Sequence, residues 1–308
     1  MPEITWNRTK CLFCADAKDI ELYPERLTLE SFTSFAFSAR RKRRREHYRI
    51  VACSHCGLVR SDPIVDDNSL AELYGMSEFI FSDEEPYAAK TYAGLLRDLT
   101  KHIGRVPASL LEVGCSTGFF LEKALELGIG EVVGFEPSVS CLAHSSKWMR
   151  PRIVNSVFEP GRIQGRTFEV VCSFHTIDHL PRPDLVLEAM VESLAPGGHV
   201  LIVCHDVESW TAKILRDHSP IFDVEHIYLF SAKTLIQLAK HAKLEIIGCG
   251  QLINTYPLGY WLRMAPGLNK LTGLLPKFLR TLPVTLSAGN LYLIAQKPLN
   301  PPTEGCPC

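Results

Sequence analysis

The sequence predicts an α/β protein built on a parallel sheet, with a small cysteine-bound module ahead of it. Three observations carry this. Short apolar runs at 110–113, 131–135, 168–174 and within 194–204 alternate with segments of helical spacing. The first run, LLEV, turns into a helix at 119–127 through Gly114 and Gly118, as parallel strand–helix units do. Near the start, two Cys-x-x-Cys pairs stand apart from the apolar runs.

Cys11 with Cys14 and Cys53 with Cys56 are separated by the residues 15–52, enough for a hairpin. Each pair can wrap two thiolates around one tetrahedral ion, and two such knuckles close its coordination shell. A structural zinc in a ribbon module over 1–65 follows, with free cysteines or a redox pair as rival readings. The run RIVA at 49–52 reads as the strand feeding the second knuckle. Between the pairs lies RRKRRR at 40–45, read either as a solvated hairpin tip or as a landing site for an anionic acceptor or nucleic acid. Residues 66–104 form a helical connector rich in aromatics, with Tyr74 and Tyr87 as weaker site residues.

The loop after the first run does not fit a dinucleotide fingerprint, since Ser116 and Phe119 occupy the second and third glycine places. Its helix start still favours a close ligand. The second run ends in Glu136 and Pro137, which places an acid at the carboxyl end of the next strand, suited to a ribose diol. A helix is expected over 139–148, a short strand at 151–154 and a loop at 155–158. FEVVCSFHTIDH at 168–179 and LAPGGHVLIVC at 194–204 follow, with a helix opened by Pro183 between them. Ser231 reads as the N-cap of a helix over 232–241. Strands are expected at 244–253 and 290–296. Residues 254–289, with Tyr256, Tyr260 and Trp261, read as a pocket cap, and the proline-rich tail with Cys306 and Cys308 as disordered.

In this order the motifs resemble the class I S-adenosylmethionine-dependent methyltransferases over 105–298. The resemblance implies a Rossmann-like seven-stranded sheet with its last strand antiparallel. It also implies a cofactor site at Glu112, Gly114, Cys115, Ser116 and Gly118, with Ser116 where that family usually has glycine. Glu136 would hold the ribose, Val157 and Phe158 the adenine, and Phe174 the post-strand segment. N-terminal zinc ribbons precede the cofactor domain in some sugar methyltransferases of this kind.

Methyl transfer from a sulfonium is an in-line displacement, so the protein must align the acceptor and, for a hydroxyl or carbon acid, remove a proton. Titratable groups on the sheet's carboxyl rim are His175, His179, His205, Asp206, Glu225 and His226. Glu225 with His226 resembles the acid–base pair of sugar C-methyltransferases, with His226 as base and His175 against cofactor or acceptor. His179 is expected to pack at the start of the following helix. The leading expectation is methylation of oxygen or carbon on a small, sugar-like or natural-product acceptor. RNA or protein methylation through 40–45, and a non-catalytic ribbon protein, are the rivals.

With 308 residues, 46% hydrophobic and 22% charged, the chain should bury a substantial core. A formal net charge of −1 gives no overall pull toward nucleic acid or anionic membranes. The start of the chain has no basic segment followed by an apolar run, and a cytoplasmic protein with reduced thiols is the expectation.

Overall fold

The computed structural model describes residues 5–299 apart from 16, 34, 39–45, 81–83 and 265–272. The basic run 40–45 and the tail cysteines thus lie outside the described residues.

The N-terminal module contains β1 (Trp6–Asn7), β2 (Asp19–Tyr23), β3 (Ile50–Cys53), β4 (Val59–Ser61) and β5 (Ile64–Val65). β2, β3 and β4 form an antiparallel ribbon, and β1 pairs with β5. The second knuckle turns at Gly57, whose φ of +82° lies in the left-handed region that favours glycine. There the Cys53 N–H donates to Leu58 O and the Gly57 N–H to Cys53 O.

The connector holds α1 (Asp67–Gly75) and α2 (Glu85–Ile103). Asp66 caps α1 by accepting from the N–H groups of Asn68 and Ser69. α2 buries Ala88, Tyr92, Leu95, Leu96 and Leu99 at helical spacing, and Tyr92 stacks on Phe174 with ring centroids 4.3 Å apart.

The main sheet is built from β6 (Ser109–Val113), β7 (Glu131–Phe135), β8 (Ile153–Val154), β9 (Phe168–Phe174) and β10 (Leu194–His205), joined later by β12 (Glu245–Gln251) and β15 (Asn290–Gln296). Its order is β12-β15-β10-β9-β6-β7-β8, and β15 runs antiparallel to both neighbours. The remaining pairs are parallel. β9 and the core of β10 read as nearly unbroken apolar runs because helices cover both faces of the sheet. Those helices include α3 (Phe119–Glu126), α4 (Val139–His144), α5 (Pro183–Glu192), α6 (Trp210–Leu215) and α7 (Ala232–His241). The seven-stranded Rossmann-like sheet expected from the motifs is the observed one.

Several boundaries differ from expectation. α4 stops at His144 because Ser145 turns extended, with ψ of 145°. α5, expected to run through Leu194, stops at Glu192, since Leu194 already pairs with Phe168.

A strand that periodicity did not reveal, β11 (Tyr228–Leu229), leaves the main domain and pairs antiparallel with β4, making the ribbon four-stranded. The Ser61 hydroxyl donates to His226 O and the Ser61 N–H to Ile227 O. The ribbon therefore holds the segment that carries His226. Finally, β13 (Asn254–Pro257) and β14 (Pro283–Leu286) form a hairpin with α8 (Leu258–Met264) and α9 (Lys277–Arg280). Among the described residues no helix is long and apolar enough to cross a membrane.

Candidate active site

A cavity of about 1510 Å³ opens along the carboxyl ends of the sheet strands. Its position follows from topology. In an open α/β sheet the loops after the strands diverge where the strand order reverses, here beside β6.

Glu112, Gly114, Ser116, Glu136, Val157, Phe158 and Phe174 line one end. Glu112 is only 2% exposed, and its Oε2 has no hydrogen-bond partner among the described residues. Burial, with Glu136 nearby, pushes its pKa well above the ordinary carboxylate range. Burial also raises Glu136, although the N–H groups of Ser138 and Ser116 donate to its two oxygens at 2.8 and 2.9 Å and pull the other way. Glu136 thus fastens the glycine loop to its own strand end and keeps oxygen lone pairs toward the cavity.

The glycines answer to neighbours as much as to any ligand. A Cβ on Gly114 (φ +78°) would stand 2.2 Å from Thr176 Oγ1, and one on Gly118 (φ +81°) 2.6 Å from Met149 Cγ. Ser116 adopts φ +51°, a conformation that glycine takes with less strain. Two expected cofactor contacts, Gly118 and Cys115, do not line the cavity. The buried Cys115 thiol packs beneath Gly134, where an added Cβ would meet its Sγ at 2.4 Å, and its N–H is bound to Phe135 O.

The other end gathers side chains from distant segments. Tyr74, His175, His179, His205, Glu225 and His226 all line the cavity. They surround Asp178, which is fully buried. Asp178 Oδ2 accepts from His205 Nδ1–H at 2.6 Å and from the His205 N–H at 3.2 Å. Burial alone would raise the Asp178 pKa, but the rings of His205, His179 and His226 hold it well below the usual carboxylate range. Ring centroids of His205 and His226 stand 4.3 Å apart, those of His179 and His226 4.8 Å, and those of His175 and His205 4.7 Å. His175 sits at φ +52°, a costly conformation for a residue with a side chain. His179 does more than pack: its Nδ1 lies 3.2 Å from the Tyr74 hydroxyl.

Sequence reasoning passed over Asp178. The signal was present as an acid between histidines in HTIDH, directly after a parallel strand. Asp206, expected on the rim, instead accepts from the Glu208 N–H and bridges to Phe230. Tyr256, Tyr260 and Trp261 also line the cavity.

In the ribbon, one sulfur from each of Cys11, Cys14, Cys53 and Cys56 lies within 4.8 Å of the others, and Cys11 Sγ is 3.4 Å from Cys56 Sγ. Four thiolates around one zinc at about 2.3 Å stand about 3.8 Å apart, so the donor set fits that ion.

An open, mostly parallel sheet with a glycine turn, two buried acids and a titratable rim over one cavity marks the candidate site of an α/β protein. The chain belongs to the methyltransferase-domain family, whose model matches residues 87–248. It is 27% identical over 150 residues to the tRNA U34 carboxymethyltransferase of Campylobacter fetus, covering 47% of this chain and 53% of that one. It is 26% identical over 147 residues to the ubiquinone biosynthesis O-methyltransferase of Shewanella pealeana, covering 44% and 62%. The chain spans about half the length of the curated relatives it matches. Among solved structures, the 1,6-didemethyltoxoflavin-N1-methyltransferase of Burkholderia thailandensis matches at 15% identity and a TM-score of 0.44, over 68% of this chain and 78% of that one.

Proposed function

We propose that this enzyme methylates an oxygen or carbon of a small acceptor, seated between the acidic cofactor end and the histidine end of this cavity. The observation that carries this reading is the pairing of those two ends. Two buried carboxylates with raised pKa values favour a ligand that brings positive charge and disfavour a pyrophosphate. S-adenosylmethionine brings a sulfonium and an ammonium, and the unpartnered Glu112 Oε2 suits the ammonium. Glu136 would take the ribose hydroxyls, and Val157 and Phe158 the adenine face.

The cofactor supplies an electrophilic methyl group. A hydroxyl or carbon-acid acceptor must then lose a proton. His205 is the best-placed base, because Asp178 holds the proton on Nδ1 and leaves the Nε2 lone pair on a ring that lines the cavity. The expected pair Glu225 and His226 also lines it, but His226 is more deeply buried, at 2% exposure. His175 would position the acceptor.

The ribbon at 1–65 is read as a structural zinc module, 66–104 as the connector, and 105–298 as the catalytic domain with its cap at 254–289. The large cavity with aromatic cap residues supports a small acceptor over RNA or protein. The test is to incubate the enzyme with methyl-labelled S-adenosylmethionine and separated small-molecule, RNA and protein fractions of a cell extract. Label in the small-molecule fraction, lost in His205→Gln, supports the reading. Label in RNA with steep salt dependence would transfer the function to the rival class.

A further inference from the structure

Beyond the histidines the cavity continues along an apolar wall that methyl transfer itself does not require. β15 sets Asn290 opposite His205 of β10, and the Asp206 N–H donates to Gly289 O at 2.8 Å. One turn further on, the Trp210 indole N–H at the start of α6 donates to Ser287 O at 2.8 Å. The segment 287–290 and α6 are thereby held side by side. Together they lead from His205 to the surface, where Trp210 is 54% exposed.

Trp210, Ile214 and Leu215 of α6, Ile221 beyond it, and Leu286 with Ala288 at the end of β14 all line the cavity. Trp210 and Ile214 stand one turn apart on one face of α6, which buries only Ala212. That apolar face is therefore turned to the cavity rather than to the core. Exposure falls inward, from 69% at Ile214 to 4% at Ile221, whose carbonyl lies 2.7 Å from His226 Nδ1. Single exposed apolar side chains are ordinary, but Trp210, Ile214 and Leu286 share one cavity wall, which marks a ligand groove. The titratable neighbour that also lines it, His218, has its Nδ1 2.7 Å from Asp217 Oδ1. Lys213 and Arg216 are exposed on α6 and do not line the cavity. At about 1510 Å³ the cavity exceeds the roughly 300–1,000 Å³ of most small-ligand pockets, so a cofactor and a small polar group leave part of it unfilled.

We propose that the acceptor carries a linear hydrocarbon chain, which lies between α6 and the end of β14 while the atom to be methylated sits beside His205. Continuity selects this occupant. A membrane surface or a second copy of this chain would cover the outer ends of Trp210 and Ile214, yet neither would need apolar walls that run inward to Ile221 and the histidines. A chain tethered to the reacting group needs both the inner wall and the open end. This substrate class rests on the reading of the acceptor end given above, whereas binding of a hydrocarbon chain in the groove does not.

The test titrates bromohexanol, bromononanol and bromododecanol into the full-length protein loaded with S-adenosylhomocysteine, with quenching of tryptophan fluorescence as the readout. Affinity should rise about two- to fourfold per methylene until the groove is filled, and Trp210→Phe should remove most of the quenching. Ile214→Asp, or Leu286→Asp should the first variant not fold, should flatten the chain-length series while S-adenosylhomocysteine affinity stays within about threefold. In the extract experiment the labelled product should partition into hexane. A flat series in the wild type, a series unchanged in both acidic variants, or a labelled product that stays in water would overturn the proposal. A flat series together with binding to vesicles of phosphatidylcholine and phosphatidylglycerol, or with a dimer in sedimentation velocity, either one abolished by the acidic variants, would reassign the surface to a membrane or to a second copy. Failure of S-adenosylhomocysteine to bind would instead strike the methyl-transfer reading, and the same titration of the unloaded protein would still read the groove.

Discussion

At the cofactor end, most groups that face the cavity belong to one strand–turn–helix unit and the strands beside it, from Glu112 and Ser116 to Glu136 and Phe174. At the acceptor end, Tyr74, His179, His205 and His226 come from four segments spread over the connector and the second half of the sheet. The first end is positioned by backbone geometry. The second is positioned by tertiary contacts, including a strand, β11, that completes the ribbon's sheet. The difference teaches that one cavity can have a locally encoded half and a half that exists only once the whole chain has folded. Perturbations should therefore separate the two.

The largest separation is expected from Cys53→Ser. Losing the proposed zinc costs on the order of several kcal/mol, and the ribbon should unfold first in urea. Because β4 holds β11 and Ser61 holds His226, the acceptor end should loosen with it. Cofactor affinity, measured by calorimetry, should stay within about threefold. An equal loss at both ends would break the comparison.

Gly114→Ala does the reverse. Its left-handed φ and the 2.2 Å approach to Thr176 Oγ1 predict a destabilisation of about 2–4 kcal/mol and loss of measurable cofactor binding. The ribbon's zinc content should be unchanged.

These two variants also mark what could be read from the sequence. Glycine spacing, the acid after the second strand and the Cys-x-x-Cys pairs were legible because each is a local pattern with a local cause. Even there, spacing did not show that Cys115 and Gly118 lie outside the cavity lining, since it does not tell which side of a loop a side chain leaves by. The sheet was legible from its apolar runs, whereas the two-residue β11 carries no periodicity. Asp178 was passed over because an acid in a short loop becomes a centre only when His205 and His226 fold onto it. The end of α4 escaped notice because nothing in composition marks the turn at Ser145.

A smaller effect is expected from Glu112→Gln on the cofactor-free protein. The folded pKa of Glu112 is raised above its ordinary value of 4.5, so the stability linked to its proton is present below about 4.5 and lost as pH rises through the folded value. The amide cannot ionise. The variant should gain stability over wild type as pH rises, seen as a urea midpoint difference that widens from pH about 4.5 to neutrality. A constant difference would mean that Glu112 titrates alike in the folded and unfolded states.

The smallest effect is expected from Ser116→Gly. Removing a left-handed side chain returns about 1 kcal/mol, which the extra chain entropy of glycine and the lost contact to Cys141 Sγ largely offset. Melting and cofactor affinity should both stay close to wild type. A loss beyond about tenfold in affinity would show that the Ser116 hydroxyl itself touches the cofactor.

The central claim is that buried carboxylates at the cofactor end are set for a positively charged ligand. Its most direct test is a calorimetric comparison of S-adenosylmethionine binding to wild type and to Glu112→Gln at neutral pH. A charge-assisted contact predicts a loss of about 10- to 100-fold in the variant, with NAD bound by neither. Affinities within about threefold of each other, or NAD binding as tightly as S-adenosylmethionine, would contradict it.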